Sequence, residues 1–441
     1  MRVAVDGRSL GSGLGGDETM LRGALRGLAT SAGNEDEVVV LASTPDVVPA
    51  DVLAAPQVRQ VTLRRRPGAV HFAYELPHTL ERIDPTPDAV LSVTHAPLWG
   101  SSPTALVVND VSFLRGGHHY PLATRLRLRH LVARQVWSSA VVVTVSDFCR
   151  RDIIEAYGLP PGRVVTVPNC IEPPRPLSGP EEVEAEAWLG SRGVRGPFVL
   201  YLGNIHPRKN VPLLVRSFAR ALRDGSLADH QLVLAGGSWW GDDLDRQLQC
   251  TTPGTVIRVG RVSDIQREFL LRRAVALAYL AVHEGFGLPP LEAMARGTPV
   301  LAARSGAVPE VVGDGAFLVD PEDEEAVRDG LVRVVADDDL RDFLTDRGRE
   351  RAAGFGPHRS GPAIHAALST AASAGRRRSG PAVWARIHRS RYAPVDERRI
   401  AATGGTDGPR REPTRPDQDD TRGDRRLPGR AAAGHPVLDQ P

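Results

Sequence analysis

Two glutamates, Glu284 and Glu292, stand eight positions apart in the segment His283-Glu284-Gly285-Phe286-Gly287-Leu288-Pro289-Pro290-Leu291-Glu292. Gly285 and Gly287 expose backbone amides, the prolines suit a first helical turn, and Gly297 supplies a stop. Carboxylates repel phosphate but accept hydrogen bonds from sugar hydroxyls, whereas amides at a helix start suit an anion. The pattern predicts a ligand carrying both hydroxyls and phosphate. It is not a zinc His-Glu-x-x-His motif, because Gly287 fills the second histidine position. A second group is Arg208-Lys209, inside Gly203-Asn204-Ile205-His206-Pro207-Arg208-Lys209-Asn210. Two adjacent cations ahead of a helix suit a diphosphate. Of 55 Lys+Arg residues, Lys209 is the sole lysine. An ammonium is a compact point charge that a guanidinium does not copy, so its retention here points to a ligand contact. A third loop, Gly11 to Gly16 ahead of Asp17, lets backbone approach a phosphate or sugar. A dinucleotide fingerprint also wants an acid at the end of the second strand. Here Glu35, Asp36 and Glu37 precede that strand and Ser43 and Thr44 follow it, which leaves a tight turn and a ligand loop both open.

Such loops need strands to hold them. Near-continuous apolar runs at Val3–Val5, Val38–Leu41, Val58–Leu63, Ala89–Val93, Ala105–Val108, Val141–Val145 and Val164–Val167 fit strands buried on both faces of a parallel sheet. Pro, Gly and a block of Glu over Pro173–Gly193 break the pattern and read as a linker. Strands then alternate again with helices from Phe198 to Ala302. The reading is α/β: two doubly wound, Rossmann-like domains facing a cleft, over 1–175 and 195–375, joined by a linker at 176–194. In such sheets ligands bind beyond the carboxyl ends of the strands, where all three loops fall.

Residues 376–441 hold 15 Arg against 9 Asp+Glu and no apolar period, which predicts a disordered Arg/Pro-rich tail. The remaining residues carry 40 basic and 44 acidic side chains, so charge gives no reason to expect nucleic acid as a partner. Hydrophobic content of 41% and charged content of 24% describe an ordinary globular protein. The start MRVAVDGRSL enters a strand-like run without a signal segment. The longest apolar stretch, near Ala274–Val282, is far short of the roughly 20 residues of a membrane span. Cys149, Cys170 and Cys250 give neither a disulfide framework nor a zinc pattern. The expectation is a cytoplasmic protein with no catalytic metal and no cofactor beyond its substrates.

GNIHPRKN and HEGFGLPPLEAMARGTPV together resemble the donor half of the GT-B fold retaining glycosyltransferases of family 4 (group 1), and GAVPEVVGDGAFLVDPED, with Glu310, continues that pattern. The resemblance spans roughly residues 1–374. It implies that Arg208 and Lys209 hold a nucleotide diphosphate and that Glu284 contacts the transferred sugar. Glu292 would take the ribose, with Gly203, Gly285, Phe286, Gly287 and Leu288 completing the donor site. In the first half, Gly15 and Gly16 match the family's glycine loop. His95 in THAPLWG, Asn109 and Asp110 in NDVSFLR, and Ser146 in VSDFCRRDI align in kind, with His95, Asn109 and Asp110 on the acceptor side. Glu284, Arg208, Lys209 and Asp110 become the catalytic candidates. The implied activity is metal-independent hexosyl transfer from a nucleotide sugar, mannose in flavour, to a glycan, lipid-linked or small-molecule acceptor.

Two positions depart from the family. Asn109 stands where it usually has His before Asp, and an amide cannot share a proton as imidazole can; His118 and His119 lie nearby. Cys170 in VPNCIEP stands where a glycine is usual. Two rival functions follow: a non-catalytic sugar-nucleotide binder, because of Asn109, and a nicotinamide-dependent oxidoreductase, from the first glycine loop. The helix Pro121–Trp137 interleaves Arg125, Arg127, Arg129 and Arg134 with leucines. It fits core packing with arginines outward, or peripheral contact with an anionic inner membrane face. Asp242, Asp243 and Asp245 read as helix N-terminal acids rather than a metal triplet.

Overall fold

The computed structural model describes residues 1–12, 15–33, 35–115, 120–237 and 243–375. The expected tail at 376–441, and His118, His119 and Asp242, lie outside the described residues. One parallel sheet contains β1 (Arg2–Asp6), β2 (Glu37–Ala42), β3 (Val58–Thr62), β4 (Ala89–Val93), β5 (Thr104–Val107), β6 (Val141–Thr144) and β7 (Val164–Thr166), in the order β3-β2-β1-β4-β5-β6-β7. A second contains β8 (Phe198–Leu202), β9 (Gln231–Ala235), β10 (Val256–Gly260), β11 (Ala276–Tyr279), β12 (Val300–Ala303) and β13 (Phe317–Val319), in the order β10-β9-β8-β11-β12-β13. In each, all strands run parallel and the order of the strands along the sheet reverses once, between β1 and β4 and between β8 and β11. The valine and leucine runs of the inner strands β1, β2, β4, β5, β6, β8, β9, β11 and β12 are buried on both faces, as helices on either side require. The edge strands β3, β7 and β10, expected to be equally buried, are only partly so, because one side of each has no neighbouring strand. The fold class read from the sequence is therefore the observed one, and the short β13 is an addition that its three residues gave no period to reveal.

Two segments behave otherwise than the sequence suggested. The expected linker carries a helix, Gly179–Ser191, opened by a capping box in which Ser178 and Glu181 satisfy each other's backbone amides. Its glutamates face solvent while Ala185 and Leu189 are buried. The final helix, Pro357–Ala374, was expected with the second domain but packs on the helix Gly16–Ser31 and against β4, β5 and β6 of the first sheet. The two helices cross at glycines, since a β-carbon at Gly361 would lie 2.5 Å from the Gly27 carbonyl oxygen. The backbones meet because neither residue has a side chain. Gly361→Val is expected to cost about 1–3 kcal/mol through overpacking. Calorimetry should show a melting temperature lower by several degrees.

Candidate active site

The reversals of strand order in the two sheets face each other, and the sequence-predicted loops leave the sheets there. After β8, the chain passes Gly203, whose φ of 143° only glycine adopts readily, and turns through Pro207–Lys209. Asn210 follows in the left-handed region at φ 54°, its side-chain Nδ2 donating to the Pro321 carbonyl at 2.6 Å. The turn delivers Arg208 and Lys209 to the cleft. Lys209 Nζ donates to Tyr279 Oη at 2.5 Å and pairs with the Glu284 carboxylate, and Tyr279 Oη donates to Glu284 Oε2 at 2.8 Å. The ammonium also lies 4.9 Å from the Tyr279 ring centroid. Burial lowers the Lys209 pKa, as does Arg208 nearby. Burial alone would raise Glu284, but Lys209 and Arg208 bring it below the usual carboxylate range. This buried triad keeps a carboxylate ionised beside two cations.

Arg208 crosses to the first domain. Its Nη1 donates to Asp110 Oδ2 at 2.9 Å, and Asp110 Oδ1 accepts from the Ser112 amide at 2.9 Å and hydroxyl at 2.6 Å. Burial opposes ionisation of Asp110, and Arg208 nonetheless holds it far below the ordinary range. Burial likewise works against the Arg208 charge, which Asp110 and Glu284 more than restore. Gly285 makes the approach possible. A β-carbon there would lie 2.8 Å from the Asn109 carbonyl oxygen and 3.0 Å from Asp110 Cβ. The Gly285 carbonyl accepts from Ser146 Oγ at 2.8 Å. A second cross-cleft contact is Glu310, whose two carboxylate oxygens accept from the Asp147 and Phe148 amides at 2.8 and 2.9 Å. These amides open the helix Asp147–Tyr157, so a carboxylate from one domain caps a helix of the other. Glu310→Ala removes about 0.5–2 kcal/mol of capping. It is expected to slow turnover by about tenfold while binding of a nucleoside diphosphate, measured by calorimetry, stays within twofold.

Other predicted residues take different places. Glu292 is buried in the middle of the helix Leu288–Ala295, and Arg267 donates to its Oε1 at 2.7 Å. Burial pushes its pKa up against the pull of Arg267 and Arg296. Gly287 opens the same helix at φ 102°. Phe286, expected among the donor contacts, turns its side chain into the core against Phe355, so only its backbone can serve a ligand, and Leu288 packs, partly buried, beside that core. Gly15 stands at φ 45° at the start of the helix Gly16–Ser31 and approaches Asn204 of the second domain. His95 stacks on Phe72 at 5.0 Å, and burial, Arg127 and Arg8 lower its pKa. Asn109 donates to Asp17 Oδ1 at 2.5 Å. The sequence reading missed Tyr279 and Asp17 as site residues. Tyr279 sat inside an apolar run, and its position as the last residue of β11 was the available signal. Asp245 pairs with Arg258 at 2.6 Å. The helix expected at Pro121–Trp137 spans Leu122–Ser138, and its Leu122 and Leu126 are exposed rather than packed on a core.

Comparison with known proteins places this arrangement. Residues 191–351 match the family described as glycosyl transferases group 1, and residues 14–175 match glycosyltransferase family 4. The chain belongs to the group 1 glycosyltransferases. This glycosyltransferase is 31% identical over 255 residues to the O-antigen chain mannosyltransferase B of Escherichia coli, covering 56% of this chain and 65% of that protein. It is 30% identical over 248 residues to the D-inositol 3-phosphate glycosyltransferase of Corynebacterium jeikeium, covering 54% and 59%. The chain thus matches less than two thirds of the length of these relatives. Among solved structures, a sucrose-phosphate synthase from Thermosynechococcus elongatus superposes with TM-score 0.59 at 19% identity, covering 83% of this chain and 98% of that one. Anabaena HepE, solved with UDP and glucose, gives 0.61 at 17%, covering 84% and 100%. At such identities these structures show the shared GT-B fold of the glycosyltransferase. Among the described residues, no helix is long and apolar enough to cross a membrane.

Proposed function

We propose that the protein transfers a hexosyl group from a nucleoside diphosphate sugar to a hydroxyl of a glycan, lipid-linked or small-molecule acceptor, with retention at the anomeric carbon. The observation that carries this reading is the convergence of Arg208, Lys209 and Glu284 at the sheet reversal, beside the amides of Gly285 and Gly287. Arg208 and Lys209 would stabilise the charge that develops on the departing diphosphate, in a site where burial strengthens every such interaction. Two fixed cations suffice for that charge, so the reaction needs no divalent ion; addition of EDTA should leave the rate unchanged. Glu284 would hold a hydroxyl of the transferred sugar and Glu292 those of the nucleotide ribose. The mannosyltransferase relative favours mannose as the transferred sugar, and GDP-mannose is the donor we propose for it. Closure of the cleft through Asp110–Arg208 and Glu310 would exclude water and favour transfer over hydrolysis.

The exposed Leu122 and Leu126 accompany four arginines and no acidic residue on the helix Leu122–Ser138. That pattern supports peripheral contact with an anionic membrane, where a lipid-linked acceptor would lie. The dinucleotide alternative loses ground, because the acid nearest β2, Glu37, lies at the strand's beginning and pairs with Arg59 and Arg2. The test is incubation with a panel of nucleotide sugars and sugar acceptors, followed by the anomeric configuration of the product. Release of nucleoside diphosphate with a retained anomer is the expected result. Inversion would remove the retaining mechanism, and no release from any donor would remove the transferase reading.

A further inference from the structure

Asn109 was the position that put catalysis in doubt, and its surroundings point elsewhere. Its amide nitrogen donates to Asp17 Oδ1 at 2.5 Å, and Thr94 Oγ1 donates to Asp17 Oδ2 at 3.4 Å. Asp17 lies in the first turn of the helix Gly16–Ser31, where any acid is favoured. An acid serving the helix alone would face water. This one is only partly exposed and is bound by residues that follow β4 and β5, 77 and 92 positions away in the chain. Thr94 is itself held at φ 64°, costly for a β-branched residue, and that turn brings its hydroxyl to Asp17. Asn109 Oδ1 is buried with no hydrogen-bond partner.

The unused capacity of the grouping is mostly for accepting: the Asn109 oxygen and the remaining lone pairs of the Asp17 carboxylate, against one further N–H of the Asn109 amide. A ligand at this point must donate hydrogen bonds, as sugar hydroxyls do, and a phosphate or carboxylate would be repelled. The placement suits a sugar. The Asn109 carbonyl abuts Gly285, Asp110 binds Arg208, and Gly15 approaches Asn204 of the diphosphate loop. His95 follows Thr94 on the acceptor side.

We propose that Asp17 is a specificity-determining residue of the first domain, whose carboxylate, positioned by Asn109 and Thr94, accepts hydrogen bonds from sugar hydroxyls in the cleft. This inference rests on the transferase reading above. Asn109 is then no lesion in a histidine site but the partner that aims Asp17. An imidazole at 109 would remove the spare carboxamide oxygen and tie up the carboxylate.

The experiment uses the full chain with GDP-mannose as donor, measuring hydrolysis without acceptor, transfer with acceptor, and GDP affinity by calorimetry for wild type, Asp17→Ala, Asp17→Asn and Asn109→His. Asp17→Ala is expected to lower transfer roughly 10- to 100-fold, the effect of leaving buried partners unsatisfied, with GDP affinity within twofold of wild type. Asn109→His is expected to lower transfer about tenfold. A parallel loss of hydrolysis assigns the hydroxyls to the donor sugar, and a loss confined to transfer assigns them to the acceptor. Burial raises the Asp17 pKa, the hydrogen bonds from Asn109 and Thr94 oppose this, and Asp110 is the charged group facing it. Its acceptor role is present above that pKa and lost as pH falls through it. The wild-type rate should accordingly fall on acidification above the ordinary carboxylate range, and Asp17→Asn should abolish that limb. A purely structural Asp17 would leave the limb in place. Unchanged transfer by Asp17→Ala, or faster transfer by Asn109→His, would overturn the proposal while leaving the transferase reading intact. A wild type that turns over no nucleotide sugar would overturn both.

Discussion

Lys209→Ala is expected to lower transfer about a thousandfold, near the upper end for loss of one preorganised charge. The side chain is only 11% exposed and bonds both Tyr279 and Glu284. Its removal takes one of two cations from the developing diphosphate charge and leaves Glu284 buried without that counter-ion. Lys209→Arg should not rescue, because the planar guanidinium is longer and cannot sit as a point donor between a phenol oxygen and a carboxylate. Steady-state kinetics should show most of the loss in kcat, with weaker donor affinity beside it. A parallel measurement of thermal stability separates this from unfolding: the second domain's core does not depend on the lysine, so the protein should still melt cooperatively. Arginine at 209 restoring wild-type turnover would show that only net charge matters there.

Gly285→Val should have the next largest effect, through geometry rather than charge. No strained backbone angle demands glycine at 285; the demand is space. A first carbon would already sit 2.8 Å from the Asn109 carbonyl oxygen and 3.2 Å from Cys149 Sγ, and valine adds two methyl groups. The domains could not then bring Asp110 to Arg208. Misplacement of reacting groups by about an ångström can cost a hundredfold, and a loss of that order in transfer is expected. Binding of nucleoside diphosphate to the second domain alone should weaken no more than severalfold. Equal losses in nucleotide binding and transfer would mean that Gly285 serves the donor loop itself rather than the approach of the domains.

The contrast between these residues and Asp17 shows what a sequence exposes. Arg208, Lys209 and Glu284 announce themselves because polar residues and glycines interrupt apolar strands, and a doubly wound sheet places such interruptions at one edge. Strand identity was legible for the same reason: runs such as Val38–Leu41 are too apolar to be anything but buried. Contacts between loops far apart in the chain were not legible. Nothing local in Asp17 or Asn109 indicates that they meet over 92 positions, and Tyr279 was hidden by the hydrophobic run that made β11 recognisable. The return of the helix Pro357–Ala374 to the first sheet depends on Gly27 and Gly361 touching, a long-range match that helical period does not encode. The helix inside the segment expected as a linker was not legible because its glutamates, taken as breakers, lie on the solvent face of a capped helix.

The central claim is that the cleft binds a nucleoside diphosphate sugar through Arg208 and Lys209. Calorimetric titration of the full chain with GDP-mannose, UDP-glucose and NADH tests it most directly. The account predicts binding of at least one nucleotide sugar, abolished or strongly weakened in Lys209→Ala, and no binding of NADH. Binding of NADH without binding of any nucleotide sugar would contradict it.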